Sequence, residues 1–478
     1  MVTNSGTVAP GHSVGHLTIA GDFIQTSGGT LEIEIGDGIG DLLTVSGTAD
    51  LAGSLLVLPD GYASAGSYTF LEAGTIAGAF DNLVSAAVFS VTLNDDTAST
   101  LSLDLARNSY LSLAAPHNRG LADTLDDLRP TADSDFGALL DRLDLALSRQ
   151  ALNDGLAALT PRIHGLASTV LIGDAQERLA GLRRHLQQID PAMLLEGNPS
   201  GKISAWFDIL GQYNRYGSDG GYFGARENLY GLLLGVERTT AKGLTLGVAA
   251  SVSECRLEAR DSDDDSEIET RQGYLYAAWR DPRRVGGLHL NAAMGGGLSQ
   301  LDSERVIPFA GRKTRSEHDG TLLGATIGGG YAVAAGGWIF DPTVGLSFVH
   351  LREESFCESG ADSADLKIAA RDNDSLQSLL GLRLRRPIQL TAFSLEPELR
   401  LEWRHEFNRK TESLRARLAG GGTFATPGRY LAGDGVRLGA SVKTILGDSV
   451  SGMLDYDCDL QSHGATGHAL RLQLAVAF

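Results

Sequence analysis

What this chain has little of narrows its class quickly. Three cysteines, Cys255, Cys357 and Cys458, lie roughly a hundred residues apart with no C-x-x-C pair and no histidine at ligand spacing, so neither a disulfide framework nor a zinc site is indicated. No apolar run of about 18 residues occurs, which excludes helical membrane spans but not a β-barrel, since half of a barrel strand faces the lumen and is polar. Proline is scarce at 13 while glycine reaches 60, a bias toward tight turns and closely packed strands rather than disordered linker. Positive charge is short as well. With 40 Lys+Arg against 59 Asp+Glu the net charge is −19, which argues against nucleic acid or any polyphosphate held by bulk charge. The opening MVTNSGTVAPGHSVG has no basic n-region and no apolar h-region, so either export is absent or the true N-terminus lies upstream.

At roughly 150 residues per domain the 478 residues leave room for about three domains, and the text changes character twice. The first zone, 1–115, is rich in Gly, Ser, Thr and Ala, with short apolar strands at Leu17–Ile19, Leu31–Ile35, Leu43–Val45, Leu55–Leu58 and Tyr68–Phe70. Their spacing of roughly 10 to 14 residues, with glycine at most breaks, suits the stacked rungs of a parallel β-helix; a small β-sandwich is the alternative. The second zone, 116–200, has leucines at helical intervals, Leu139, Leu140, Leu143 and Leu147, then Leu152, Leu156 and Leu159, with Pro161 as a break. Its last helix, about 165–188, carries Asp174, Gln176, Glu177, Arg178, Arg183, Arg184 and His185 around most of its circumference. A helix polar nearly all round must sit in water, as a linker does, or in a polar cavity.

The third zone, 201–478, alternates. Between Phe393 and Phe407 the odd positions are Phe, Leu, Pro, Leu, Leu, Trp, His and Phe, while the even ones are Ser394, Glu396, Glu398, Arg400, Glu402, Arg404 and Glu406. Period two over fifteen residues is a strand with one greasy face, longer than globular strands and fit for a tilted membrane crossing. The same grammar starts twelve strands, near Ile203, Leu229, Leu244, Arg271, Leu288, Leu322, Trp338, Leu376, Phe393, Val436, Val450 and His468. Connections alternate in length. The long ones are Gly211–Asn228, Arg256–Thr270, Ser299–Asp319, Arg352–Asp374, Asn408–Gly433 and Gln461–Gly467, and the short ones lie between them, as in an outer-membrane barrel with both ends of the barrel in the periplasm. Parity puts Asp208, Glu396, Glu398, Arg400, Glu402, Arg404, Arg437, Lys443, Asp455, Asp457 and Arg471 on the face away from lipid. Some of these acids should be neutralised by cations on neighbouring strands, leaving the others for the helix.

These zones resemble bacterial autotransporters (type V secretion). The first, through APGHSVGHLTIAGDFIQTSGGTLEIEI, LLTVSGTADLAGSLLV and YTFLEAGTIAGAFDNL, is similar to the C-terminal passenger region. The third, from ISAWFDILGQY through LYGLLLGVERT and LRLEWRHEF to LRLQLAVAF, is similar to the autotransporter β-domain. The resemblance covers essentially the whole chain and implies a mainly β protein. Its parts are a short parallel β-helix stub, a helical linker, and a twelve-stranded antiparallel transmembrane barrel with the helix in its lumen; there the mixed-sign interior that parity gives could pair with Arg178, Arg183, Arg184 and His185. It further implies a location in the outer membrane of a Gram-negative bacterium, among its lipids, with the passenger at the cell surface and open to a host or surface ligand. The terminal strand, with Leu470, Leu472, Leu474, Val476 and the final Phe478, would be read by the barrel-assembly machinery and periplasmic chaperones, and Thr18 to about Phe80 would act as an autochaperone. The passenger portion is short for the family, so the part that defines a particular activity is expected to be missing.

Enzyme chemistry finds no support in the motifs. The acidic run Asp261, Asp263, Asp264, Asp265 lacks the glycine and glutamate of an EF-hand, Ser266 and Gln272 standing there, and reads as a solvated loop. The GDSV at 447–450 falls on a short turn with no His or Asp partner in any pattern. Gly295–Gly297 and Gly328–Gly330 are not phosphate loops, since no Lys-Ser/Thr follows; in a barrel they would let the wall bend or the helix approach. The eleven histidines are scattered singly. The reading is a non-enzymatic translocator with a structural or adhesive passenger, and the alternative is an outer-membrane porin whose N-terminal zones are accessory.

Overall fold

Alternation from Lys202 onward has one stable outcome in lipid, a sheet closed on itself so that no backbone edge is left unpaired. The computed structural model describes residues 1–129, 134–189, 202–218, 221–281, 286–391, 393–409, 411–429, 431, 433–446 and 449–478. The expected boundary between helical linker and barrel at 200/201, and Gly447 and Asp448 of the GDSV stretch, lie outside the described residues. Among the described residues the barrel strands are β1 Lys202–Tyr216, β2 Ala225–Thr239, β3 Leu244–Ala259, β4 Asp265–Arg280, β5 Gly287–Ile307, β6 Arg312–Ala335, β7 Trp338–Glu353, β8 Arg371–Arg385, β9 Phe393–Glu406, β10 Asp434–Leu446, β11 Val450–Gln461 and β12 Thr466–Ala477. Each pairs antiparallel with the next, and β12 returns to β1 with Ala475 opposite Trp206. These are the twelve strands that alternation marks.

Their lengths correct the expected loops. The spans Ser299–Asp319 and Arg256–Thr270 are mostly ladder: β5 and β6 pair to Ile307 opposite Arg312, and β3 and β4 to Glu258 opposite Asp265. A membrane crossing uses about 9–11 residues, so β6 at 24 residues carries its pairing well beyond lipid. Polar residues there read as loop because the alternation marking a lipid face ends at the membrane surface, whereas hydrogen bonding continues.

Inside the wall, large inward side chains lie across inward glycines of the next strand. Trp206 covers Gly235, Tyr276 covers Gly247, Tyr274 covers Gly295 and Arg400 covers Gly439; a Cβ at each glycine would run into its neighbour. Gly295 is therefore a seat for a wall tyrosine. The lumen helix also comes close at Gly324, where a Cβ would stand 3.1 Å from Leu179.

In the N-terminal zone the chain winds through parallel sheets. Thr7, Thr30, Ser54 and Asn82 stack in register, as do Leu43 and Leu71 in the facing sheet, and Leu31, Ile33, Ile35, Leu55 and Val57 fill the interior. The stack does not end on a bare rung. An antiparallel hairpin, Phe89–Thr97 with Thr100–Arg107, covers the last edge through Leu103 opposite Tyr68, satisfying backbone groups a parallel coil leaves open.

Among the described residues four short α-helices follow, Tyr110–Leu113, Arg119–Leu128, Ser134–Asp144 and Arg149–Ala158, and then the long helix Arg162–Gln188. Leu147, expected on a helix, lies exposed in the turn before the fourth. Two long external loops pool four strands, Phe356–Cys357, Leu366–Ile368, Leu414–Leu418 and Gly421–Thr426, into a small sheet. One apolar core runs from the β-helix through the short helices to this sheet, with Phe23, Leu103, Leu125, Leu140, Ile368 and Phe424 among its members.

Candidate functional site

The site is the barrel lumen and the helix in it. Arg162–Gln188 starts at Pro161, near the external loops, where Arg162 donates to the Gly221 carbonyl. It ends at the level of the short turns, where Lys443 donates to the Gln188 carbonyl at 2.7 Å. Nearly every residue of the helix is buried. No described helix is long and apolar enough to cross a membrane by itself, so this one crosses shielded by the wall.

Charge meets the helix at successive depths. Near the outer mouth His164 and Arg305 share Glu358, at 2.9 Å and 3.0 Å, and Arg305 also donates to the Ala158 carbonyl at 2.6 Å. Below that, Glu353 accepts from Ser168 at 2.7 Å and from Arg371 at 2.6 Å. Asp174 accepts from Ser253 at 3.0 Å, Thr270 at 3.2 Å and Arg178 at 3.0 Å. At mid-depth Glu177 is ringed by three guanidiniums: Arg184 from the helix at 2.8 Å, and Arg437 and Arg471 from the wall. Arg183 reaches Glu402 at 2.6 Å, and Arg184 bonds Asp457 with Asp455 at 3.7 Å. His185 stacks on Trp206, ring centroids 4.1 Å apart, and meets Glu237 at 2.9 Å. At the C-terminal end Arg280 and Arg383 each contact the Gln187 carbonyl at 3.2 Å, so wall cations complement the negative end of the helix dipole.

Of the wall residues picked out by parity, Glu402, Arg437, Lys443, Asp455, Asp457 and Arg471 touch the helix. The others pair within the wall. Glu396 meets Arg385 at 3.2 Å, Glu398 meets Arg400 at 2.9 Å, Arg404 meets Asp459 at 2.7 Å, and Arg471 stands 4.0 Å from Asp208. Arg400 skips a strand to reach Asp455 and Asp457, a reach that side-chain-free Gly439 permits. Among the described residues Arg178 has its ion pair with Asp174 on its own helix rather than with the wall, and its guanidinium fills the space over Gly231.

Sequence reasoning passed over Glu177 and Asp174 as partners, and Glu227, Glu237, Asp341, Glu353, Arg371 and Arg383 as buried wall charges. The signal was present. Glu227, Leu229, Leu233 and Glu237 share one parity of β2, the test that placed Glu398. The helix is also less polar than its composition suggests: Leu166, Val170, Leu171, Leu179, Leu182 and Leu186 join Trp206, Leu229, Leu233, Leu322 and Val349 in a second core. Asp264, expected in a solvated loop, is buried and accepts from the Val306 amide at 2.8 Å, while Asp261 and Asp263 are exposed.

On the closing strand Leu470, Leu472 and Leu474 face outward, and the Phe478 amide donates to the Ile203 carbonyl at 2.8 Å. Around the barrel Val248, Leu275, Leu298, Ile327, Val344 and Leu399 are likewise exposed, an apolar belt that only lipid satisfies.

A closed antiparallel barrel with an apolar exterior, its bore filled by a helix of its own chain, is an outer-membrane translocator domain. The chain belongs to the autotransporter family: the family model described as Autotransporter beta-domain matches residues 205–457. Among solved structures it is similar to the translocator domain of autotransporter NalP from Neisseria meningitidis. The TM-score is 0.52 at 13% identity, covering 66% of this chain and 98% of that one. Among curated proteins it is 21% identical over 467 residues to an extracellular serine protease of Serratia marcescens, covering 86% of this chain. The chain spans 44% of that relative's length. The barrel is seated in the outer membrane, and an autotransporter translocator domain is not itself catalytic.

Proposed function

We propose that this chain carries its own N-terminal portion outward through the barrel and then holds it at the cell surface, non-enzymatically, with Arg162–Gln188 as the last segment left in the bore. The observation that carries this reading is the path of the chain. The helix enters at the short-turn end, leaves at the long-loop end, and continues there into the short helices and the β-helix. On this reading 1–115 is the end of a structural or adhesive passenger, 116–200 the linker, and 201–478 the translocator. Planar-bilayer conductance tests it: a barrel from residue 201 onward should conduct freely, and one retaining the preceding forty residues should be nearly closed. Equal, large conductance in both would count for a porin.

The relative's description as an extracellular serine protease supplies the competing reading, a passenger with enzyme activity. Labelling intact cells with a serine-hydrolase probe decides between them; a labelled band of this protein overturns the non-enzymatic assignment.

Two roles are proposed with it. Phe478, with Leu470, Leu472, Leu474 and Val476, is the recognition end for the barrel-assembly machinery, so deleting Phe478 should strand the chain with periplasmic chaperones or lead to its degradation; normal outer-membrane yield would refute this. Thr18 to about Phe80 acts as a folding template for what precedes it; in support, Phe23–Gln25 pairs in parallel with Val2–Asn4, and Thr30 and Leu31 with Thr7 and Val8. Removing it should leave surface passenger protease-sensitive.

A further inference from the structure

We infer that the external loops form a receptor for the short helices, strong enough to keep the N-terminal fragment on the barrel after the chain joining them has been cut. The inference rests on contacts alone and does not depend on the direction of export. The hairpin Leu414–Thr426 turns through Gly420, Gly421 and Gly422, and this turn is where the helices sit. A Cβ at Gly420 would run into the Phe136 ring, and one at Gly422 into Thr124 and Leu128. The approach is mutual, because a Cβ at Gly120 would collide with the backbone of Ala425. Three consecutive residues without side chains thus make a saddle for two helices, and their apolar faces complete it, with Leu125, Phe136 and Leu140 in one core with Leu418 and Phe424.

A polar latch stands beside the saddle. Asp135 accepts from Arg312 at 2.8 Å, from the Ser363 hydroxyl at 2.6 Å and from the Ser363 amide at 3.1 Å, and Arg142 donates to the Ala310 carbonyl at 2.8 Å. A third contact crosses the turn that joins the helices Ser134–Asp144 and Arg149–Ala158. Asn153 accepts from the Ala115 amide and donates to the Leu113 carbonyl at 3.0 Å, tying the fourth helix to the segment before the second. This turn exposes Leu145 and Leu147 and is open to a protease. A break there leaves every one of these contacts in place, and the partner the loop surface fits is therefore the chain's own fragment 1–147.

The test uses the purified full-length protein in detergent with a protease site inserted between Leu147 and Ser148. After complete cleavage, fragments 1–147 and 148–478 should co-elute on size exclusion and separate only in denaturant. Gly420→Val, which drives a side chain into Phe136, and Arg312→Ala should each speed loss of the fragment, and the two together should abolish co-elution. Prompt separation of the cleaved parent would overturn the inference. If the insertion prevents folding, amide exchange of Leu414–Thr426 in the uncut chain replaces it: protection in the parent and at least a tenfold faster exchange in Gly420→Val support the receptor, and equal exchange in both refutes it.

Discussion

The two sides of the barrel hold the same helix by different physics. At mid-depth β5–β7 present small inward residues, Ala293, Gly295, Gly324, Thr326 and Ser347, and Leu179 of the helix comes against the wall at Gly324, while the buried charges of these strands, Arg305, Asp341 and Glu353, stand toward their ends. Along β8–β12 the inward residues are long and charged, Arg383, Glu398, Arg400, Glu402, Arg437, Asp455, Asp457 and Arg471, and they bridge the space the helix leaves. Close packing at that level needs no desolvated charge. The second side tolerates buried charge because nearly every group is paired, often twice. One wall therefore fixes where the helix lies, and the other fixes its depth and rotation, since ion pairs match only at one setting.

Loss of the central acid should strain that division most. Glu177→Ala leaves Arg184, Arg437 and Arg471 buried without the carboxylate they share, and should cost about 3–5 kcal/mol, read as a lower denaturant midpoint and as conductance in planar bilayers. On the other wall Gly324→Leu should cost about 1–3 kcal/mol by overpacking against Leu179. Unlike the charge variant, it should disturb β6 amide exchange and leave the salt dependence unchanged. Arg183→Ala should cost about 1–3 kcal/mol, less than Glu177→Ala, because Glu402 keeps Arg404 and Arg437 nearby; a cost as large as that of Glu177→Ala would show that the charged wall is not redundant. The smallest effect lies outside the membrane. Hydrogen bonds from Arg312 and Ser363 hold the Asp135 carboxyl well below the usual carboxylate range. Its stabilising contribution is complete above the ordinary aspartate value and is lost as pH falls from there toward the lowered one. Protection of the amides near Ser363, corrected for the intrinsic pH dependence of exchange, should accordingly fall below about pH 4 in the parent and stay level with pH in Asp135→Asn.

Alternation along each strand determined the barrel, because a strand with one face in lipid must repeat every second residue, and twelve such segments were there to be read from Ile203 to His468. The same parity determined which charges turn inward, and it would have found Glu227, Glu237 and Arg383 had it been applied to every strand. Local pattern was silent on partners. That Arg400 crosses a strand to Asp455, that Arg178 turns to Asp174 rather than to the wall, and that Glu177 gathers three arginines depend on which residues closure brings to one depth. Only the tertiary structure could decide that the polar helix has an apolar side, since Leu166, Val170 and Leu179 become a core only against Trp206, Leu229 and Leu322. The same holds for the glycine turn at 420–422, flexible by composition and occupied in fact. Contacts between residues some three hundred positions apart, as from Thr124 to Thr423, leave no periodic trace in sequence, because periodicity records the environment of one element and not the identity of what packs against it.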